Sequence, residues 1–346
     1  MTIVEGARPV TGGIDTHLEV HVAAALDPIG GLLDVESFKA NAAGYRKLLA
    51  WMSSFGPVAR VGVEGTGAYG AGLSRYLHSN GVEVIEVDRA NRQVRRQAGK
   101  SDPVDAVEAA RAAQSGRARG LAKTRDGSVE AIRALLVTRR SARAVRTKTL
   151  CQIRHLSFTG PDELRERLRG LSTVMLAHDA AALRPRAGGD VVLYATKLSV
   201  QALGRRVLVL DEETKHIDEL LGDLVAKTAP SLLALHGVGV VTAASLLVAA
   251  GDNPERLRSE AAWAHLCGVA PIEASSGKVT RYRLNRGGDR QANQALWRIV
   301  MVRLAHDPRT RHYLERRTKD GLSKREVIRV LKRYVAREVY RHLPRG

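Results

Sequence analysis

The chain has 346 residues, 44% hydrophobic and only 4% aromatic, with 55 Lys+Arg against 36 Asp+Glu, a net charge of +19 and a pI near 10.5. That length supports two or three domains, each with its own core, and the basic balance selects a nucleic acid or an anionic surface as partner. A membrane span is excluded, because the longest apolar stretch, residues 238–250, is too short and is interrupted by Thr242 and Ser245.

Residues 11–27 alternate around Gly13-Ile14-Asp15 and Val20-His21-Val22-Ala23-Ala24, which predicts a strand with a hairpin partner starting near Leu32. Helical spacing of Tyr45, Leu48, Leu49 and Met52 follows over residues 41–54, then a β-branched strand over 58–64. A helix is expected over 67–79 (Tyr69, Leu73, Tyr76, Leu77) and a strand over 81–87. This alternation favours an α/β layer architecture. The next helix, 102–115, has a clear start, with Asp102 fitting the N-cap, Pro103 the N1 position and Asp105 the N3 position.

Beyond Gly116 the pattern turns helical. Residues 129–158 form a long Arg-rich helix, and 161–186 read as shorter helices and loop. A heptad run then places Leu193, Val200, Val207, Thr214 and Leu221 at one position, with Thr196, Leu203, Leu210, Ile217 and Leu224 three residues later. These are a and d positions of a coiled-coil hairpin arm, a dimer seam, or a long helix packed on its own domain. Leu235-His236-Gly237-Val238-Gly239 joins two helical segments. This is the form of a helix-hairpin-helix, whose exposed N–H groups can hold a DNA phosphate, and equally of an ordinary helix–helix turn. The expected domains are 1–127, 128–229 and 230–346.

The charge is concentrated: residues 281–346 carry 19 basic against 6 acidic side chains, and 116–186 form a second basic block. Arg139, Arg140, Arg143 and Arg146 lie on adjacent helical turns, suited to a nucleic-acid backbone. The scarcity of aromatics argues against base stacking as the main binding mode. Cys151 and Cys267 are too far apart for a zinc spacing or a disulfide framework, and residues 1–13 lack an apolar signal core, so a cytoplasmic protein with reduced thiols is expected.

Against this basic background four acids stand out. Asp15 lies mid-strand, Glu64 ends a strand, and Asp102 and Asp105 share one side of a helix start. Carboxylates from neighbouring strands and one helix can converge on one or two magnesium ions that serve phosphoryl transfer. By itself Asp102 is also an ordinary cap, whereas a buried strand-end acid is costly without a partner. Glu86 and Asp88, near another strand end, read as solvated. A second constellation runs from Pro271 to Lys278 with Ser275-Ser276-Gly277, followed by Arg281, Arg283, Arg286 and Arg290. It reads as a polar turn, or as a serine nucleophile whose phosphate target is held by guanidinium groups.

Taken together the motifs resemble one transposase family. Gly13-Ile14-Asp15, Val63-Glu64-Gly65-Thr66-Gly67-Ala68-Tyr69 and Lys100-Ser101-Asp102-Pro103-Val104-Asp105-Ala106 resemble its N-terminal DEDD domain in order and spacing. Leu235 to Gly239 with Thr242-Ala243, Gly268-Val269-Ala270-Pro271 and Ser275-Ser276-Gly277-Lys278 resemble its C-terminal transposase domain. This is the insertion-sequence family of the one-ten type, which includes bridge-RNA-guided recombinases. The resemblance implies a RuvC-like (RNase H-like) α/β N-terminal domain, an α-helical coiled-coil middle and a mostly α-helical transposase domain. It implies Mg2+ held by Asp15, Glu64, Asp102 and Asp105, and a serine that forms a phosphoserine link to DNA. Ser276 matches best, with Ser275 the runner-up. Lys278, Arg281, Arg283 and Arg286, together with Gly237 and Gly239, are the expected nucleic-acid contacts beside the four arginines above. Donor and target DNA, a structured noncoding guide RNA, and dimers pairing into tetramers are the implied partners. This chain departs from the pattern at His17-Leu18, where members often carry a lysine, at Gly65, and at Asn285-Arg286-Gly287-Gly288. The competing expectations are a metal-only junction-resolving nuclease and a non-catalytic nucleic-acid-binding protein.

Overall fold

A computed structural model describes residues 8–87 and 101–344. They divide into two units. One holds the described residues through Gly127 together with Ala250–Ser259, and the other holds Ser128–Ala249 and Glu260–Pro344. Part of the expected 230–346 domain therefore belongs with the N-terminal unit.

The first unit is built on a six-stranded sheet in the order β3-β2-β1-β4-β5-β6. Strands β1 (Val10–Thr16), β2 (Val20–Leu26) and β3 (Leu32–Lys39) form an antiparallel meander. The expected single strand over 11–27 is thus two strands. A tight turn at residues 17–19, with His17 N donating to Val20 O at 3.2 Å, ends β1 at Thr16, one residue after Asp15. Helix α1 (Ala42–Ser54) then leads to β4 (Val58–Glu64), and α2 (Ala71–Ser79) to β5 (Glu83–Val87). Both strands run parallel to β1. Helix α3 (Asp102–Gln114) precedes the short antiparallel edge strand β6 (Gly120–Leu121). Asn41 caps α1 by accepting from Gly44 N at 2.9 Å. Helix α2 starts later than the apolar spacing predicts, because 65–70 are taken up by turns closed on Gly65 O.

Strand alternation sorts the sheet's two faces. Ile14, Val61 and Val63 pack with Leu48 and Met52 of α1 and Leu73 and Leu77 of α2. Each such buried side chain contributes about 1.5–3 kcal/mol. The opposite face, with Val22, Ala24 and Ala106, belongs to α3. There Gly13 on β1 and Gly62 on β4 lie under the helix. A Cβ on Gly13 would overlap the backbone of Ala106 and Ala110, and one on Gly62 would overlap Ala109 O. Two glycines and the small side chains Ala106, Ala109, Ala110 and Ala113 thus let α3 lie directly on the strands.

The segment Ala250–Ser259 completes this unit at the β5–β6 edge. Asn253 Nδ2 donates to Ala122 O at 2.8 Å and Arg256 Nε to Leu121 O at 3.2 Å. Arg256 also faces Glu86 at 3.6 Å, and Thr66 Oγ1 donates to the same carboxylate at 2.8 Å. Glu86, expected to be solvated, is 40% exposed and also has these two partners. Asp88 lies outside the described residues.

The second unit is helical. Long helix α4 (Ser128–Thr159) is followed by α5 (Asp162–Leu168), α6 (Thr173–Ala181) and long helix α7 (Val191–Thr228). Arg139 pairs with Asp218 and Arg146 with Asp211, so a heptad up α4 matches a heptad down α7 and the helices run antiparallel. Val200, Val207, Thr214 and Leu221 are buried, and Ile217 with them, while Leu203, Leu210 and Leu224 are half-buried. The first part of the stripe, Val200, Leu203 and Val207, packs within the same chain, in a core with Leu150 and Ile153 of α4, Leu164 of α5 and Leu176 of α6. After α7 come α8 (Pro230–Leu233), α9 (Val240–Ala250), α10 (Glu260–Leu266) and a two-stranded ribbon, β7 (Ile272–Glu273) with β8 (Tyr282–Arg283). Helices α11 (Arg290–His306), α12 (Pro308–Lys319) and α13 (Lys324–His342) follow. Asp289, Asp307 and Ser323 cap their N-termini, the last in a capping box with Glu326. No described helix is long and apolar enough to cross a membrane.

Candidate active site and nucleic-acid interface

Two separate centres emerge, one in each unit. In the first, Asp15 and Glu64 each stand two residues after one of the glycines beneath α3, in Gly13-Ile14-Asp15 and Gly62-Val63-Glu64. Alternation therefore puts both acids on the α3 face, at the ends of neighbouring parallel strands. Thr16 Oγ1 ties the strand ends by donating to Glu64 O at 2.8 Å. The close seat of α3 brings its first turn, with Asp102 and Asp105, up to Asp15, while the side chains whose ligand atoms gather there are Asp15, His17 and Asp102 and do not include Glu64. The helix start differs in detail from expectation. Ser101 takes the extended N-cap backbone, so Asp102 is the first helical residue and Pro103 the second. Pro still suits this turn, where backbone N–H groups have no intrahelical acceptor.

Asp15 and Asp105 are buried, whereas Asp102 is about half exposed. Burial pushes the Asp15 carboxyl up from its ordinary value, the charge of His17 pulls it down, and the charges of Asp102 and Asp105 push it up again. His17 Nε2 lies 3.1 Å from Asp15 Oδ2 and 3.4 Å from Asp102 Oδ2. One ligand atom from each of Asp15, His17 and Asp102 falls within 4.8 Å of the others. This donor set could hold a divalent cation, and a cation there would relieve both the burial of Asp15 and the repulsion among the acids. His17 is a site residue that the sequence reading did not single out, although it lies at one of the positions where the chain departs from the resembled pattern. The repeated Gly-x-acid spacing was the legible sign of the helix seat.

In the second unit, Ser276 lies on a projecting hairpin. Ile272 pairs with Arg283 and Glu273 with Tyr282, and Ala274 N donates to Arg281 O at 2.8 Å. Ser276 and Val279 then exchange backbone hydrogen bonds at 3.1 Å, closing a two-residue turn at Gly277-Lys278. Gly277 has φ of +55°, the left-handed conformation that such a hairpin needs at its first central residue. The ribbon is solvent-exposed from Glu273 through Leu284. The two serines differ: Ser275 Oγ accepts from Arg281 N at 3.2 Å. The Ser276 hydroxyl has no hydrogen-bond partner among the described residues. Lys278, Arg281, Arg283 and Arg286 are all exposed on or just beyond the same ribbon.

The four arginines of α4 fall into two classes. Arg139 and Arg146 form two-point ion pairs with Asp218 and Asp211, with second contacts of 3.1 and 3.0 Å, and are mostly buried. These two guanidiniums are tied to α7 in this structure. Arg140 and Arg143 are exposed. Burial lowers the Arg140 guanidinium somewhat, opposed by the charge of Asp289. The Gly237-Val238-Gly239 step joins α8, a single turn, to α9. Gly237 has φ of +81° and packs on α11, where Arg303 Nε donates to His236 O at 2.8 Å. Gly239 is exposed just before the first turn of α9.

Comparison with known proteins gives the family. Residues 12–158 match a transposase family of the DEDD, IS110 type, and residues 229–315 match the family described as Transposase IS116/IS110/IS902. The insertion element IS900 uncharacterized 42 kDa protein of Mycobacterium paratuberculosis is 26% identical over 137 residues, 39% of this chain and 34% of that protein. The insertion element IS110 uncharacterized 43.6 kDa protein of Streptomyces coelicolor is 29% identical over 132 residues, 37% of this chain and 32% of that protein. The aligned stretches thus span about a third of each relative. With both family matches falling on the acid-bearing sheet and the serine-bearing helical region, the chain belongs to the IS110 family of insertion-sequence transposases.

Proposed function

We propose that this protein cuts and rejoins DNA through a phosphoserine link at Ser276, assisted by Mg2+ at the acid cluster. The observation that carries the reading is the free Ser276 hydroxyl at the tip of an exposed ribbon flanked by Lys278, Arg281 and Arg283. The Oγ–P ester forms as one strand P–O bond breaks, the serine hydroxyl gives up its proton and the departing deoxyribose oxygen takes one up, so that one phosphate ester replaces another with no net change in protons. Guanidinium groups offset the negative charge that builds on the phosphoryl oxygens. Asp15, Glu64, Asp102 and Asp105, with His17, would hold the cation, which supplies charge neutralisation at phosphate oxygens when bound. The sheet order, with a β1–β3 meander and parallel β4 and β5, supports the RuvC-like reading of the first unit. The antiparallel α4–α7 pair with its heptad stripe supports a coiled-coil arm. A noncoding guide RNA, donor and target DNA, and dimers that pair into tetramers complete the proposal. Arg140 and Arg143 are the arm's accessible backbone contacts.

The experiment is covalent trapping on donor DNA with Mg2+. Ser276→Ala is expected to eliminate a denaturant-resistant protein–DNA adduct, while Ser275→Ala keeps a detectable one. A second reading, a metal-only nuclease, is favoured by the convergence of Asp15, His17 and Asp102 within the first unit. Strand cleavage by Ser276→Ala without any adduct would establish it in place of the serine mechanism.

A further inference from the structure

At the base of the serine ribbon lies a cavity of about 720 Å³, within the second unit and lined from β8, the loops flanking the ribbon and α13. Its volume falls in the ~300–1,000 Å³ range of small-ligand sites. The wall is largely apolar, with Val269, Pro271, Leu284 and Val330. Two tyrosines line it, Tyr282 from β8 and Tyr334 from α13, and they are 64% and 49% exposed. The Tyr334 ring is held edge-on against Tyr313, with centroids 6.0 Å apart. An aromatic-poor chain thus spends two of its eight tyrosines here without burying either.

The rim is cationic. Arg283, Arg286 and Arg329 are exposed and line the cavity. Glu326 is the acid among the described lining residues, and its carboxylate already accepts from Ser323 N at 2.8 Å and from the Ser323 hydroxyl at 2.6 Å. An apolar slot with aromatic faces and an anion-binding rim is the chemistry of a base with its phosphates. A paired base cannot enter such a slot, whereas an unpaired one can.

We propose that this cavity receives an unpaired nucleotide of the DNA strand that Ser276 attacks, its base on Tyr282 or Tyr334 and its phosphates on Arg283, Arg286 and Arg329. The inference rests on the serine reading for the choice of strand. Tyr282 pairs with Glu273, and Ser276 lies three residues farther out, about 10 Å at ~3.3 Å per residue. That is within a few nucleotides of the cavity. A strand that leaves its duplex to change partners exposes unpaired bases.

The test measures binding of the full chain to a 12-nucleotide oligothymidylate, a 12-base-pair duplex and a 12-nucleotide oligouridylate, in a Ser276→Ala background. Tyr282→Ala with Tyr334→Ala is expected to weaken oligothymidylate binding about 5- to 150-fold, the equivalent of stacking one base, and to change duplex binding less than twofold. Tyr282→Phe with Tyr334→Phe is expected to retain the affinity, since the ring face and not the hydroxyl is used. Both rings are exposed, so truncation leaves the fold in place. Equal losses on duplex and single strand would overturn the proposal in favour of a general backbone site. Unchanged oligothymidylate binding would overturn it outright, and a loss confined to oligouridylate would assign the cavity to RNA instead. Adduct formation by the chain carrying both Tyr→Ala changes, with Ser276 intact, separates the two claims. An adduct with unchanged single-strand affinity sinks the cavity alone. Tyrosine-dependent single-strand binding in a chain that forms no adduct under any condition sinks the serine mechanism and leaves the cavity as a site for unpaired DNA.

Discussion

The acid cluster and the serine ribbon solve opposite problems. The cluster is made by packing: two glycines and a run of alanines seat α3 on the sheet, and like charges are pressed together against their own repulsion. The ribbon is made by projection: a few backbone hydrogen bonds and one left-handed glycine carry a free hydroxyl into solvent. A cation site needs fixed, convergent oxygens, and only a packed interface holds them there. A serine proposed to attack a phosphate needs access instead. The two regions should accordingly fail in different ways when perturbed.

The largest expected effect is on chemistry at the packed centre. Asp15→Asn should reduce DNA cleavage more than about a hundredfold, without lowering the unfolding midpoint of the metal-free protein, because it removes a buried charge disfavoured by its surroundings. Addition of Mg2+ should raise the midpoint of the native chain but not that of the variant. A native-like Mg2+ response in Asp15→Asn would remove that residue from the cation site.

Next in size is a contrast between glycines. Gly13→Val should cost about 3 kcal/mol in urea unfolding of the first unit, since its side chain meets the α3 backbone rather than a flexible neighbour. Gly277→Val should strain the turn locally by about 1–2 kcal/mol and leave the unfolding midpoint of the second unit in place, because nothing lies within 4 Å of a Cβ at that position. Equal global destabilisation would mean that the ribbon is as integral to its unit as α3 is to the sheet.

A smaller effect comes from His21, fully buried in the first unit, stacked on Tyr45 at 5.7 Å, with both ring nitrogens unpartnered. Burial lowers its proton affinity, helped by the charge of His17. The unfolded chain binds the proton more readily, so this contribution is intact above the ordinary imidazole value of about 6.5 and is lost as the pH falls below it. His21→Leu should flatten the pH dependence of first-unit stability between about pH 5 and 7. It should also raise stability by about 1 kcal/mol, by removing unsatisfied buried nitrogens.

The smallest effects separate the two classes of arginine on α4. Asp211→Ala with Asp218→Ala should cost about 0.5–1 kcal/mol per pair lost, because it frees Arg139 and Arg146 from α7. Arg140→Ala with Arg143→Ala should change stability by less than about 0.5 kcal/mol but lower the salt slope of nucleic-acid binding by roughly one unit per phosphate contact. The reverse pattern would mean that the packed arginines open to meet the ligand.

The sequence by itself determined the local elements and the residue types of both centres. Strand β4 over Val58–Glu64, helix α1 from its apolar spacing and the long helices were legible, because periodicity is a local property. So were the four acids and the Ser-Ser-Gly-Lys step, since carboxylates in a basic chain and a glycine turn stand out in composition. Tertiary structure alone decided the rest. The turn at residues 17–19 depends on β2 pairing back on β1, and it is this turn that brings His17 between Asp15 and Asp102. Arg139 and Arg140 are neighbours in one Arg-rich helix, yet only α7, which is more than sixty residues away in sequence, distinguishes a packed guanidinium from an exposed one. Ser275 and Ser276 are alike in sequence, and the Arg281 N–H across the ribbon engages one and leaves the other free. Each of these is a contact between segments distant in the chain, and a helical or strand period carries no information about which distant segment will arrive.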